Sequence, residues 1–592
     1  MAPVGPSAPA VAAADGPTHR KTAASQDFKH RTARQIGRRR PNRSPAHRED
    51  IMSTLSVTAA GAAREAIDRH VPQLVEDRFA SRLFAKDHTL WGADAEDEAS
   101  KRLGWVEAHD VSRPLIEEIL ELRSAFEAEG VDRFVLAGMG GSSLAPEVIT
   151  RTAGVELFVL DSTDPVMVQA ALSDRIGRTA AIISSKSGST VETDSARRAF
   201  EKAFTDAGID PARRLVVVTD PGSPFDQTAR EAGYRAVFNA DASVGGRFSA
   251  LTAFGLVPSG LAGADITALL DDAEAAAEML REDAEDNLAL RLGAALGGTS
   301  PLRDKIVLQD RGSGIVGFAD WAEQLIAEST GKLGTGILPV VVGQDAPELQ
   351  APVAADVLPA LLVASDDESV LTGDVDAVAV AGSLGAQMLL WEVATSVAGA
   401  LLKINPFDQP DVESAKIATR AVLADKPEPT PADLVDGSVE IRGDASLLDG
   451  ADDLRGAIQA LLKTLPDNGY LAVQAYFDRL TWTELEDARP LLASITGRPT
   501  TFGWGPRFLH STGQFHKGGT PVGSFLQITA ASDTDLDIPG GDFTFGELIS
   551  AQADGDAQVL REHDRPVLQL RLTDRETGVS QVLDVLHAIL GR

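Results

Sequence analysis

Residues 179–193 read TAAIISSKSGSTVET. Ser184, Ser185, Ser187, Ser189, Thr190 and Thr193 place six hydroxyls within ten residues, directly after an apolar run with the character of a buried strand. A strand that ends in such a turn and leads into a helix suits an anion, because hydroxyls and turn N–H groups donate while the helix N-terminus adds partial positive charge. Ser185, Ser187 and Thr190 are the candidate donors, Lys186 sits among them, and Gly188 lets the backbone come close to a phosphate dianion. An ordinary serine-rich helix cap would use the same residue types without a ligand. GMGGSS (138–143) stands at the same relative position after an earlier apolar run, so Gly141 and Ser142 are expected at the same sheet edge. Ser143 occupies the third-glycine position of a dinucleotide fingerprint, and Leu333 follows the lysine of ESTGKLG (328–334), which excludes a Walker loop.

The elements that must position these loops are short apolar runs, each ending in Gly, Ser or Asp and each followed by helix-compatible sequence. Five lie in residues 133–143, 156–164, 179–190, 214–223 and 234–243, and four more in 304–314, 336–343, 357–365 and 376–385. That alternation predicts an α/β fold with parallel sheets wrapped by helices. Upstream, AAREAIDRHVPQLVEDRFASRLFA and PLIEEILELRSAFEAEG carry apolar residues three and four apart, a helical preface. The boundaries read as a basic extension at 1–51, the preface at 52–130, α/β domains at 131–300 and 301–424, and a C-terminal extension at 425–592 after the proline-rich ADKPEPTPAD (424–433). That last part holds further strand-like runs and a glycine-rich loop.

Composition narrows the function classes. The 592 residues are 43% hydrophobic and 24% charged, the balance of a globular protein of several domains. Against 55 Lys and Arg stand 87 Asp and Glu, a formal charge of −32 that repels nucleic-acid backbones. A small anion would have to be held at short range by N–H groups and hydroxyls. Cysteine is absent, which excludes disulfides, thiol nucleophiles and thiolate metal sites. No apolar run is read as reaching the roughly 18 to 20 residues of a membrane span, and the expected location is the cytoplasm. Residues 1–51 hold ten Lys and Arg beside four acids and almost no large apolar side chains, so they are expected to be disordered. Met52 is an alternative start.

GMGGSSLAPEV, SSKSGSTVET, VGGRFSALTAFGL (244–256), QLIAESTGK (324–332) and NPFDQPDVESAK (405–416) follow one another across about 280 residues. In this order and spacing they resemble the motifs of the phosphoglucose isomerase family, and most of all its actinobacterial and transaldolase-fused branch. The resemblance implies two three-layer αβα sugar isomerase domains. It implies interconversion of glucose 6-phosphate and fructose 6-phosphate through a cis-enediol, with no cofactor and no metal, in a homodimer. Glu328 matches the family's catalytic glutamate, the base that moves a proton between C1 and C2. Arg247 matches the arginine beside the reacting carbons, where a guanidinium holds enediolate charge without yielding a proton. Gly246 would let the substrate approach the backbone, Gln409 matches a substrate-contacting glutamine, and Lys416 matches the ring-opening lysine. Asp411 stands where the family usually has glycine.

The family's common form also takes a histidine from the partner subunit in a GQH motif, and here the matching residues are GAQ, Gly385 to Gln387. No histidine lies between 301 and 509. RFLHSTGQFHKGG (507–519) offers substitutes in His510 and His516, with His516 slightly preferred. Two rivals are a non-catalytic sugar-phosphate-binding regulator with the same fold, and a transaldolase–isomerase. The latter needs a barrel of roughly 200 or more residues upstream, and only about 130 residues precede the first sheet.

Overall fold

The computed structural model describes residues 55–365, 371, 376–425, 431–531 and 534–591. The expected extension at 1–51, Met52 and residues 426–430 of the proline-rich break lie outside the described residues. The preface is not wholly helical. It begins with strand β1 (Ser56–Ala60) before helices Ala62–Glu76 and Leu115–Ala128. A five-residue run of SVTAA carries too little period to announce a strand, and its pairing partner lies more than 300 residues away.

Five parallel strands form the first sheet: β2 (Arg133–Gly138), β3 (Phe158–Leu160), β4 (Thr179–Ser184), β5 (Leu215–Thr219) and β6 (Ala236–Asn239), in the spatial order β3-β2-β4-β5-β6. β2, β4 and β5 are buried on both faces, which explains their unbroken apolar runs. Helix α1 (Leu144–Ala153) follows β2 and α2 (Val191–Asp206) follows β4.

The second sheet contains β7 (Lys305–Arg311), β8 (Leu338–Val342), β9 (Val357–Val363) and β10 (Ala377–Ala381), all parallel, in the order β1-β10-β9-β7-β8. β1 closes its edge antiparallel, with Ser56 opposite Ala381. Helix α3 (Phe318–Thr330) connects β7 to β8, and α4 (Leu384–Leu401) follows β10. By length and composition α4 is long and apolar enough to cross a membrane, contrary to the sequence expectation. It is a core helix, 83% buried within the fold. Its isolated Gln387 and Glu392 had concealed the length of the apolar surface.

After helix α5 (Val412–Asp425) the C-terminal extension, expected as α/β from its strand-like runs, forms a third, mixed sheet: β11 (Leu434–Asp436), β12 (Val439–Arg442), β13 (Tyr470–Ala475), β14 (Thr500–Trp504), β15 (Gly523–Ala530) and β16 (Val567–Leu572), ordered β11-β12-β16-β15-β13-β14. β13 to β16 are mutually parallel, β12 runs antiparallel to β16, and β11 pairs antiparallel with β12 at the edge. Short helix α6 (Gly513–Gly518) lies between β14 and β15, and α7 (Phe545–Glu562) between β15 and β16. Each of the three sheets places its first parallel strand between the second and the third, so each has one point where the strand order reverses.

The cores are shared between lobes. Val307, Leu338, Val340 and Val357 of the second sheet form one buried cluster with Tyr470, Ala472, Phe525 and Val567 of the third. Ile538, Phe545 and Leu548, from beyond β15, complete the cluster on one face of the first sheet.

Candidate active site

In an open parallel sheet, ligands bind beyond the C-terminal strand ends where the order reverses. In the first sheet that point lies between β2 and β4, which end in GMGGSS and SSKSGST. Ser185 Oγ donates to Thr190 Oγ1 (3.3 Å) and accepts from the Gly188 N–H (3.1 Å), and the Ser187 and Ser189 hydroxyls are 2.7 Å apart. Gly188 is held at φ +73°, and a Cβ there would lie 2.2 Å from Phe225 Cβ, so the turn requires glycine. Ser187 and Thr190 line a cleft of about 420 Å³ together with Glu192, Lys416, Arg420 and His510. Lys186 turns the other way. Its ammonium donates to the carbonyls of Ala242 (3.2 Å) and Val244 and pairs with Asp220 at 3.5 Å.

The GMGGSS turn packs directly on the VGGRFS turn. A Cβ on Gly141 would stand 1.9 Å from the Gly246 carbonyl oxygen, so backbone meets backbone, while Ser142 is half-buried beside it. Nothing lies within 4 Å of the place a Cβ would take on Gly245 or Gly246, which leaves open space beside that turn. The next residue, Arg247, is 3% exposed. Its Nε donates to Ser329 Oγ (2.8 Å), one terminal nitrogen to Gln409 Oε1 (2.9 Å), and the other to the carbonyls of Pro406 (2.6 Å) and Asp408 (3.1 Å). The nitrogen that holds Gln409 lies 3.3 Å from Glu328 Oε1. Burial pulls the guanidinium below its usual range, and the charges of Glu328 and Asp408 oppose this.

Glu328 occupies the last turn of α3, on the side that faces Arg247. Gln324, one turn earlier, donates to Glu328 Oε2 (3.1 Å) and to the His510 carbonyl (2.8 Å). Lys332, just past the helix, is 1% exposed and donates to the carbonyls of Asn405 (2.7 Å) and Asp408 (2.5 Å) and to Asp408 Oδ1 (2.6 Å). Burial, then the charge of Arg247, lowers its pKa to about 8.

The structure separates the two histidines. His510 borders the cleft, and its Nε2 is 3.0 Å from Glu192 Oε1. Glu192 also accepts from Gln552 Nε2 (2.7 Å), whose oxygen accepts from Thr163. Burial acts to raise the Glu192 pKa, but the charge and hydrogen bond of His510 outweigh it and leave the carboxyl below its usual range. His516, the sequence preference, is 2% exposed, stacks on Tyr470 and places Nδ1 3.0 Å from the Tyr470 hydroxyl. Burial lowers its pKa to about 3, so it is a neutral core side chain that does not line the cleft. Arg507 and Lys517 of the same loop are matched by buried acids, Arg507 by Glu147 (2.6 Å) and Asp161 (2.5 Å), and Lys517 by Asp556 (2.5 Å). Lys416 lies on α5 at the cleft wall, 3.3 Å from Glu413.

Sequence reasoning had not assigned Glu192, Gln324, Ser329 or Lys332, although all four stood inside the quoted motifs SSKSGSTVET and QLIAESTGK. Among the described residues no three His, Asp or Glu side chains are arranged to hold a metal ion.

No protein-family model matches the chain. The glucose-6-phosphate isomerase of Thermus thermophilus is 31% identical over 420 residues, covering 61% of this chain and 97% of the relative. That of Synechococcus sp. JA-3-3Ab is 29% identical over 428 residues, covering 58% of this chain and 79% of the relative. A crystal structure of hypothetical protein TT0462, also from Thermus thermophilus, overlays with a TM-score of 0.53 at 28% identity, over 62% of this chain and all of that one. With the reversal-point hydroxyl loop and the buried Arg247–Glu328 pair, this agreement establishes that the chain belongs to the glucose-6-phosphate isomerase family.

Proposed function

We propose that the protein interconverts glucose 6-phosphate and fructose 6-phosphate through a cis-enediolate. The observation that carries this reading is the 3.3 Å approach of Arg247 to Glu328, on a turn that rests against Gly141 beside the hydroxyl loop. The phosphate would be held by Ser185, Ser187 and Thr190, by turn N–H groups near Gly141 and Ser142, and by the N-terminus of α2. Glu328 would move the proton between C1 and C2 while Arg247 holds the developing enediolate charge. Binding energy from the remote phosphate positions the carbons for that transfer. His510, oriented by Glu192, and Lys416 would open the sugar ring, and Gln409, fixed by Arg247, would contact the substrate.

The five sequence-read segments then take the roles of a basic extension, a preface, two sugar isomerase domains and a third lobe that supplies His510. The actinobacterial, transaldolase-fused branch suits a chain with GAQ at 385–387 and His510 at the cleft. A cytoplasmic homodimer completes the reading. The relatives are isomerases, so the non-catalytic alternative is not favoured.

The test is a coupled assay on fructose 6-phosphate with wild type and Glu328→Gln. Loss of about 10³-fold or more in kcat is expected for removal of the proton-transfer group. Full activity in the variant would remove Glu328 from the mechanism.

A further inference from the structure

Residues 405–409 have no regular secondary structure, yet they present Gln409 and two of the carbonyls that grip Arg247. Two cations hold this segment. Arg247 donates to Pro406 O, Asp408 O and Gln409 Oε1, and Lys332 donates to Asn405 O, Asp408 O and Asp408 Oδ1. The Lys332 ammonium has three donors, and all three are used. Both cations meet at the Asp408 carbonyl, so the position of Arg247 depends on where Lys332 anchors that peptide.

We infer that Lys332 is a positioning residue for isomerisation, an ammonium that fixes the 405–409 segment and thereby the aim of Arg247 and Gln409 at the reacting carbons. This rests on the proposed isomerase reading and extends it to a side chain that touches no substrate. The charged groups facing Lys332 are Arg247 from the turn after β6, Glu328 from α3 and Asp408 from the segment itself, two cations against two carboxylates. Helix α6 also borders this turn, with Phe515 against Gly331, but His516 and Lys517 on that helix face Tyr470 and Asp556. Deleting the Lys332 charge leaves Arg247 alone between two carboxylates, drawn from the enediolate toward Asp408. Above about pH 8 the wild-type ammonium itself loses its charge.

The experiment uses the full chain, with kcat and kcat/KM for fructose 6-phosphate measured from pH 5.5 to 9.5 for wild type, Lys332→Met and Asp408→Asn. Lys332→Met is expected to lose about 100-fold in kcat and to lack the wild-type fall near pH 8. A partly misfolded but otherwise normal enzyme would keep the wild-type profile. Asp408 is 41% exposed in its side chain, so Asp408→Asn tests the same contact with less risk to folding. It removes the carboxylate that helps keep Lys332 protonated, and the alkaline limb should move down by about half a pH unit. Wild-type profiles in both variants would overturn the inference while leaving the isomerase assignment intact. Binding of a five-carbon sugar-acid phosphate, whose carboxylate stands in for enediolate charge, is followed by calorimetry independently of turnover. Tenfold or greater weakening in Lys332→Met supports the inference and unchanged binding opposes it. A wild type that neither turns over fructose 6-phosphate nor binds this acid removes both readings.

Discussion

His510 Nε2 stands 3.0 Å from Glu192 Oε1, so the turn after β14 in the third sheet is tied to the first turn of the helix that follows the hydroxyl loop in the first. A carboxylate that accepts from one ring nitrogen sets the tautomer and leaves the other nitrogen for a second partner.

If this pair opens the sugar ring, His510→Asn and Glu192→Gln should each lower kcat on fructose 6-phosphate by about 10²-fold, in the usual range for general acid–base groups. The double variant should be little worse than either single one, because the two act as a unit. His516→Asn, remote from the cleft, should keep kcat/KM within about twofold per folded molecule. Steady-state kinetics corrected for folded fraction decide the matter, and a loss in His516→Asn equal to that in His510→Asn would reverse the assignment.

His516 should instead appear in the pH dependence of stability. Its folded pKa of about 3 lies below the ordinary histidine value, so between roughly pH 6.5 and 3 the unfolded chain binds the extra proton. Stability therefore falls as pH drops through that window, by at most about 1.4 kcal/mol per unit from this one group. Urea midpoints measured from pH 7 to 4.5 should decline less steeply in His516→Phe than in wild type. Parallel curves would show that the ring is not buried neutral.

The hydroxyl loop should act on affinity. Hydrogen bonds to a charged group contribute roughly 1.5–3 kcal/mol, so Ser185→Ala or Thr190→Val should raise KM about tenfold or more. The competitive inhibition constant for inorganic phosphate should rise in parallel. Lys186→Met serves as the contrast: its ammonium holds the carbonyls of Ala242 and Val244, so it should lower Tm while KM changes little. A KM effect for Lys186→Met as large as that of Ser185→Ala would mean the lysine swings to the phosphate.

Gly141 and Gly246 touch, yet their alanine variants should differ. A methyl on Gly141 collides with the Gly246 backbone and must displace the Arg247 turn, so Gly141→Ala should lose both Tm and kcat. A methyl on Gly246 meets nothing within 4 Å, so Gly246→Ala should melt like wild type while KM rises, since the methyl takes substrate space. Thermal melts beside kinetics test the contrast, and an unimpaired KM in Gly246→Ala would show that the sugar does not lie against that turn.

The nine parallel strands of the first two sheets were legible because each is a short apolar run stopped by Gly, Ser or Asp, a signal carried within the strand itself. The hydroxyl loop, Arg247 and Glu328 were legible because their motifs are local and ordered. What escaped depends on partners distant in the chain. β1 acquires its meaning from Ala377–Ala381, and β16 from β15 and β12. Lys186 lies among hydroxyls in sequence, but a long flexible side chain is directed by whichever carbonyls lie in reach, here those beyond β6. His510 and His516 share one short segment and identical chemistry. Only the fold shows that the aromatic rings of Tyr470 and Phe525 enclose one and Glu192 meets the other.

The second sheet cannot be sealed by sequence made at the same time. Val307, Leu338, Val340 and Val357 must wait for Tyr470, Phe525 and Val567, which leave the ribosome roughly two hundred residues later. At about 5–20 residues per second that interval is roughly 10 to 40 s. For that time every nascent chain presents an uncovered oily face, a window in which crowding, chaperone supply and translation speed govern the yield of finished protein.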